Sequence, residues 1–136
     1  MSIPIVYGIP NCSTVKKSRT WLDEHGVAHA FHDFKKQGVP ADRLAAWIAA
    51  VGWEKLLNRQ GTAWRRLPPE TQAQVRDAAS ASTLMQAQPS VIKRPVVEWP
   101  AGTAQAPTVG FVPQQWAQRA TGAQNRGRTP SAQSFT

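Results

Sequence analysis

Two short apolar runs separated by a single amphipathic helix constrain this chain more than any other feature. Ile3 to Tyr7 is apolar and β-branched, and Gly8, Pro10 and Asn11 break it, so it reads as a buried strand. From Thr14 to His25 the period becomes helical: Val15, Ser18 and Leu22 share one face, while Lys16, Lys17, Thr20 and Glu24 lie mostly elsewhere. Ser13 or Asn11 is placed to cap the start and Gly26 to end it. Val27 to Phe34 alternates loosely and suits a second strand. Strand, helix and strand within about 30 residues form a βαβ unit, whose strands run parallel with a right-handed crossover.

The middle of the chain changes character. Pro40 opens a helix with Leu44, Ile48 and Val51 in register, and Gly52 stops it. Trp53 to Asn58 is a short helical piece. Pro68 and Pro69 start another helix that runs to about Ala79, and Ala81 to Gln88 is a further one. Residues 40–90 thus read as an all-helical insertion. The sheet resumes at Pro95 with Val96 to Trp99, residues 100–107 read as a turn, Thr108 to Val112 as a last strand and Pro113 to Ala120 as a terminal helix. Two strands joined by a short turn make an antiparallel hairpin. The expected architecture is α/β: a thioredoxin-like fold with a four-stranded mixed sheet and an inserted all-helical subdomain at about 40–90. Residues 1–120 form this domain. Residues 121–136, polar and rich in Gly, Ser and Gln, are expected to be a disordered tail.

Composition narrows the function. The chain has 136 residues, 41% of them apolar, enough for one domain with a real core. Its net charge of +8 is spread along the chain, with no basic tract, zinc-finger spacing or helix-turn-helix pattern, which argues against nucleic-acid binding. No run approaches the ~20 apolar residues of a membrane span, and the N-terminal stretch has no charged leader, so it reads as a strand and not a signal peptide. A single cysteine excludes an internal disulfide framework, and a cytoplasmic, reducing compartment fits best. His25, His29 and His32 are spaced at 3 and 4, but Gly26 interrupts any helix that would align them, and no metal site is expected. Trp47, Trp53, Trp64 and Trp99 read as packing anchors, and Trp64-Arg65-Arg66 as a solvated helix face or a cleft wall.

The lone Cys12 falls between the first strand and the first helix, flanked by Asn11 and Ser13. A thiol reacts as the thiolate, and the free value is near 8.5. The helix N-terminus stabilises the anion by about 0.3–1 kcal/mol, and up to about 2 when partly buried, which is about one pKa unit. Stronger activation needs N–H hydrogen bonds, the hydroxyls of Ser13 and Thr14, or a guanidinium. Lys16 and Lys17 lie one turn on. A lone cysteine is also often a small buried hydrophobe, although its polar neighbours argue for access. Arg94 precedes Pro95 and leads into a strand: either the bond is cis and the backbone there presents its polar groups to a ligand, or this is an ordinary turn with Arg94 in solvent.

GIPNCSTVKKSRTWL, FHDF (31–34), LLNRQGTAWRRL (56–67), AAS (78–80), SVIKRPVVE (90–98) and VGF (109–111) together resemble the arsenate reductase-like (ArsC) family, which also contains the Spx regulators. The chain is most similar to the family's small YffB-type branch of glutathione-dependent thiol reductases. The resemblance covers residues 3 to about 120 and implies the thioredoxin-like fold with a helical insertion. It implies that Cys12 is the nucleophile, that Arg94 stands beside it and that Pro95 is the cis proline of the fold. Arg59 matches a second family arginine that helps bind an oxyanion. Arsenate reductases of this family carry a third arginine before a late proline, where this chain has Val112. Spx-type regulators usually carry a C-x-x-C switch, where this chain has Val15 in the fourth position.

The expected activity is therefore that of a glutathione-dependent monothiol reductase, with Cys12 and Arg94 catalytic. Cys12 would pass through a mixed disulfide resolved by an external thiol. No bound cofactor is expected; glutathione, or another small thiol, is the co-substrate. Arg59, Arg94 and Lys16 could pair with its carboxylates, Asn11, Ser13 and Thr14 would surround the thiolate, and the backbone at Pro95 could pair with the tripeptide. A monomer with no membrane or nucleic-acid partner is expected. The alternatives are an arsenate reductase weakened by the missing arginine and a non-catalytic, Spx-like regulator that binds RNA polymerase.

Overall fold

A computed structural model describes residues 3–100 and 106–124 of the chain. The first strand, β1 (Ile5–Gly8), is followed by helix α1 (Ser13–Glu24) and strand β2 (Ala30–Asp33). β1 and β2 pair in parallel, with Ile5 opposite Ala30 and Gly8 opposite Asp33. The insertion comprises α2 (Phe34–Gln37), α3 (Ala41–Val51), α4 (Trp53–Leu56), α5 (Thr62–Arg65), α6 (Pro69–Ala73), α7 (Ala78–Ala87) and a 3₁₀ turn at Pro89–Val91. Strands β3 (Val96–Glu98) and β4 (Thr108–Val109) and helix α8 (Pro113–Gln124) complete the described chain. The sheet order is β2-β1-β3-β4, with β3 antiparallel to both β1 and β4. It is the four-stranded mixed sheet of a thioredoxin-like α/β fold, as the residue pattern predicts.

Strand alternation divides the core in two. Successive side chains point to opposite faces of a sheet. On β1, Tyr7 joins one cluster and Val6 the other; on β3, Val96 and Val97 divide the same way. The face bearing Tyr7 and Val96 is covered by the insertion, through Leu44 and Trp47 of α3 and Met85 of α7. The face bearing Val6 and Val97 is covered by Leu22 of α1 and Trp116 of α8. Full burial of side chains this size contributes about 1.5–3 kcal/mol each.

The buried face of α1 is Val15, Ser18 and Leu22, the three residues its periodicity selects. Ser18 is tolerated there because its hydroxyl donates to the Thr14 carbonyl at 2.6 Å. Several boundaries differ from the sequence reading. The strand expected over residues 27–34 keeps only Ala30–Asp33, because the Asp33 side chain accepts from the Lys35 amide and starts α2. In α3 the core face includes Trp47, with Ile48 and Val51 packed at its margin. The helix expected from Pro69 to Ala79 stops at Ala73. Asp77 and Ser80 then form a capping box that begins α7 anew. β4 is two residues long, because Gly110 takes φ +81° and its amide donates to the Pro95 carbonyl at 2.9 Å. α8 runs to Gln124, beyond the expected end at Ala120 and into the stretch expected to be a tail. Most of the expected 100–107 turn, and residues 125–136 of the tail, lie outside the described residues.

Candidate active site

The site lies where β1 ends. A Cβ on Gly8 would sit 2.9 Å from Val15 Cγ2, so the strand end and the first turn of α1 approach to a distance only glycine allows. This close approach places Cys12 at the N-cap of α1, with φ −133° and ψ 123°. Neither Asn11 nor Ser13 caps the helix. Both are exposed, and no side chain makes the cap hydrogen bond. An N-cap side chain faces the second and third helical amides, and here those belong to Thr14 and Val15.

Cys12 is half-buried and unpaired. Burial pushes its thiol pKa up. The Val15 amide, hydrogen bonding and charge from Arg94, and the Thr14 amide outweigh this, so the thiol is held below its ordinary value. The sulfur thus sits at the cap position, facing these amides without a formal cap hydrogen bond, and Arg94 brings a cation to it. Lys16 donates its amide to the Cys12 carbonyl at 2.9 Å. Its exposed side chain helps line a shallow groove of about 380 Å³ with Lys17, Trp21 and Phe111. Thr14 is likewise exposed, contributing its amide to the sulfur and its carbonyl to Ser18.

Arg94 is held by the backbone that precedes it. Its Nη1 donates to the Ser90 carbonyl at 2.7 Å and to the Ile92 carbonyl at 3.2 Å. Its Nε is enclosed and has no hydrogen-bond partner. The Arg94–Pro95 bond is cis, and Pro95 is buried. Of the two readings left open for this dipeptide, the structure adopts the cis bond, with the guanidinium folded back toward the thiol. The insertion braces this segment: Leu57 bridges Ile92, the Asn58 amide donates to Val91 at 2.8 Å and the Lys93 amide to Leu56 at 2.7 Å.

The same bridge brings Arg59 out beside the 91–94 segment, but Arg59 is not among the main groups acting on Cys12. It is exposed, and its guanidinium lies over the Trp53 ring, 5.1 Å from the centroid. Val112 is 44% exposed, directly before Pro113. Trp64 is half-buried against the core and Arg65 and Arg66 are exposed. The three histidines bond to nearby backbone carbonyls: His25 to Trp21, His29 to Val27 and His32 to Gly38.

Sequence reasoning missed the part played by the Val15 amide and by the Ser90 and Ile92 carbonyls. The first was readable from the N-cap rule once Cys12 itself, and not a neighbour, is taken as the cap. The second had no sequence signal. A further polar cluster was also missed: Glu98 accepts from the Tyr7 hydroxyl at 3.0 Å and from Trp47 Nε1 at 2.7 Å, and pairs with Arg43 at 3.4 Å.

Residues 7–118 match the ArsC family. An uncharacterized protein of Haemophilus influenzae is 36% identical over 92 residues, 68% of this chain and 80% of that protein. Among solved structures, a protein named YFFB is 46% identical with a TM-score of 0.78, covering 86% of this chain and 98% of its own. An arsenate reductase (ArsC) related protein from Brucella melitensis is 48% identical with a TM-score of 0.66, covering 86% and 93%. An arsenate reductase from Vibrio cholerae, at 16% identity and a TM-score of 0.69, shares the fold.

Proposed function

Because the chain belongs to the ArsC family, we propose that it is a cytoplasmic thiol reductase that uses Cys12 as its nucleophile and glutathione as its co-substrate. The observation that carries this reading is the environment of the sulfur. It is partly accessible and faced by the Val15 and Thr14 amides and by Arg94, and these together favour the thiolate.

The chemistry runs in two exchanges. Cys12 thiolate attacks one sulfur of a substrate disulfide, the S–S bond breaks, and the departing half leaves as a thiolate. The bound half remains in a mixed disulfide with Cys12. With no second cysteine in the chain, a glutathione thiolate attacks the substrate sulfur of that mixed disulfide. This returns Cys12 as thiolate and releases the substrate half joined to glutathione. Where that half is itself glutathione, the product is glutathione disulfide. Arg94 lowers the energy of the Cys12 thiolate both as nucleophile and as leaving group. The exposed Asn11, Ser13, Thr14 and Lys16 adjoin Cys12 in the chain and are the residues offered to the substrate there, and the exposed Lys16 is the cation for a carboxylate of the tripeptide, with Arg59 available where it leaves Trp53. Arsenate fits less well, since one guanidinium faces the sulfur, Arg59 lies on Trp53 and Val112 occupies the third position.

Alkylation with iodoacetamide against pH tests the reading. A midpoint below about 8.5, together with catalytic reduction of a small mixed disulfide by glutathione that Cys12→Ser abolishes, is expected. A midpoint at or above that of free cysteine, or turnover that survives Cys12→Ser, rejects it.

A further inference from the structure

A second cavity, of about 510 Å³, lies at the open edge of the sheet between α4 and α8. Its polar lining includes Lys55, Lys93, Gln115 and Arg119, and its apolar wall is made largely by Val51, Pro107, Val109 and Val112. No carboxylate lines it. No Asp or Glu side chain follows Glu98 in the sequence. Among the described residues Arg43 pairs with Glu98, and Lys55, Lys93 and Arg119 have no ion pair. Three like charges converging on one cavity repel one another, and an anion placed between them relieves that repulsion.

One of the cations is held by a hydrogen bond, and the stem of a second packs on backbone. Arg119 donates through Nη1 to the Ala106 carbonyl and is partly withdrawn from water, which lowers its pKa. The Lys93 stem lies over Gly110, where a Cβ would come within 3.1 Å of Lys93 Cε, and Gly110 holds φ +81°. The lysine stem therefore packs closely on the bare backbone of Gly110. Lys93 and Arg94 are adjacent but serve different places: Lys93 lines the sheet-edge cavity, and Arg94 faces Cys12. The volume is that of a small-ligand site, roughly 300–1,000 Å³.

We propose that this cavity binds a small organic anion carrying at least two negative charges, its charged oxygens held by Lys55, Lys93 and Arg119 and its carbon body against the valine and proline wall. A dicarboxylate and an organic phosphate present the same chemistry, and the titration separates them. Cys12 and Arg94 do not line the cavity.

The full chain is titrated separately with glutarate and with phenyl phosphate at low ionic strength, following backbone amide shifts. Saturable binding of at least one probe is expected, with shifts centred on residues 106–112 and 115–119. Lys93→Met, which keeps the stem over Gly110, and Lys55→Met should each weaken it by about tenfold. Arg119→Met should do the same wherever its amide spectrum stays folded. Cys12→Ser and Arg94→Met should leave it unchanged. The probe that saturates identifies the ligand class. Absence of saturation by either probe up to about 10 mM overturns the proposal. So does affinity unmoved by Lys93→Met and Lys55→Met, and so do shifts that centre on residues 12–15 and vanish in Cys12→Ser.

Discussion

Replacing Arg94 with methionine keeps the length and packing of the stem and removes the charge. An opposite charge within about 4–6 Å shifts a titrating group by about 1–3 units. Cys12 is only half-buried, so solvent screening places the expected rise in its midpoint near the lower end, about 1 unit. Below both midpoints the thiolate fraction then falls about tenfold. The more basic thiolate is about threefold more nucleophilic per unit, so the alkylation rate should fall by only about threefold. Arg94→Lys, which restores a cation without the planar fork, should recover part of the shift. Iodoacetamide rates against pH, with the product counted by mass spectrometry, give the midpoints directly. A midpoint in Arg94→Met within about 0.3 unit of the parent would mean that the amides of Val15 and Thr14 set the thiol alone, and the role given to Arg94 would fall. The stability consequence has a definite sign. The thiol is more acidic folded than unfolded, so its contribution is complete above the unfolded value near 8.5 and disappears as pH falls through the folded midpoint. The deficit of Cys12→Ser relative to the parent, measured by urea unfolding, should therefore be largest above about pH 8.5 and shrink toward acid.

Four further outcomes follow from the packing. Burial, then the Glu98 carboxylate, push the Tyr7 hydroxyl above its ordinary range; since Tyr7 is the one tyrosine, phenolate absorbance should be absent at about pH 10 and should move to lower pH in Glu98→Gln. Glu98→Ala strands the Tyr7 and Trp47 donors and should cost about 2–4 kcal/mol in a denaturant melt. Trp116→Ala should cost about 3–5 kcal/mol, whereas Trp116→Phe should cost far less, because Trp116 Nε1 is buried without a partner and its removal ends that penalty. Gly8→Ala should destabilise by about 1–3 kcal/mol through its contact with Val15 Cγ2, and Val15→Ala in the same chain should return part of the loss.

The βαβ start was legible because its signals are local. A β-branched run, a break and a helical stripe each speak within ten residues, and the stripe of Val15, Ser18 and Leu22 is the face that α1 buries. Asp77 shows where such reading fails. Helical propensity continues through residues 74–77, and only the pairing of Asp77 with Ser80 three residues on marks a new start. The last strand was read too long because Thr108 to Val112 is apolar and β-branched. Its end is dictated by Gly110, whose amide is taken by Pro95 fifteen positions earlier. At the site, the thiol was evident from its place between strand and helix, and Arg94 from its motif. The carbonyls of Ser90 and Ile92 that fold Arg94 back were not evident, because backbone acceptors leave no mark in the residue types. Arg59 carries the right motif but spends its exposed face on Trp53, a preference no linear spacing encodes.

The tie between Leu56, Leu57 and the segment from Val91 to Lys93 makes the insertion a lever on acidity. The guanidinium is fastened to main-chain oxygens of that segment, so wherever the segment goes, the cation follows. A change in volume beneath Leu56 or Leu57, buried side chains in the core, would thereby retune how readily the sulfur gives up its proton. In this architecture the acidity of the Cys12 thiol is an adjustable property of the helical insertion, not a constant of the sheet that carries it.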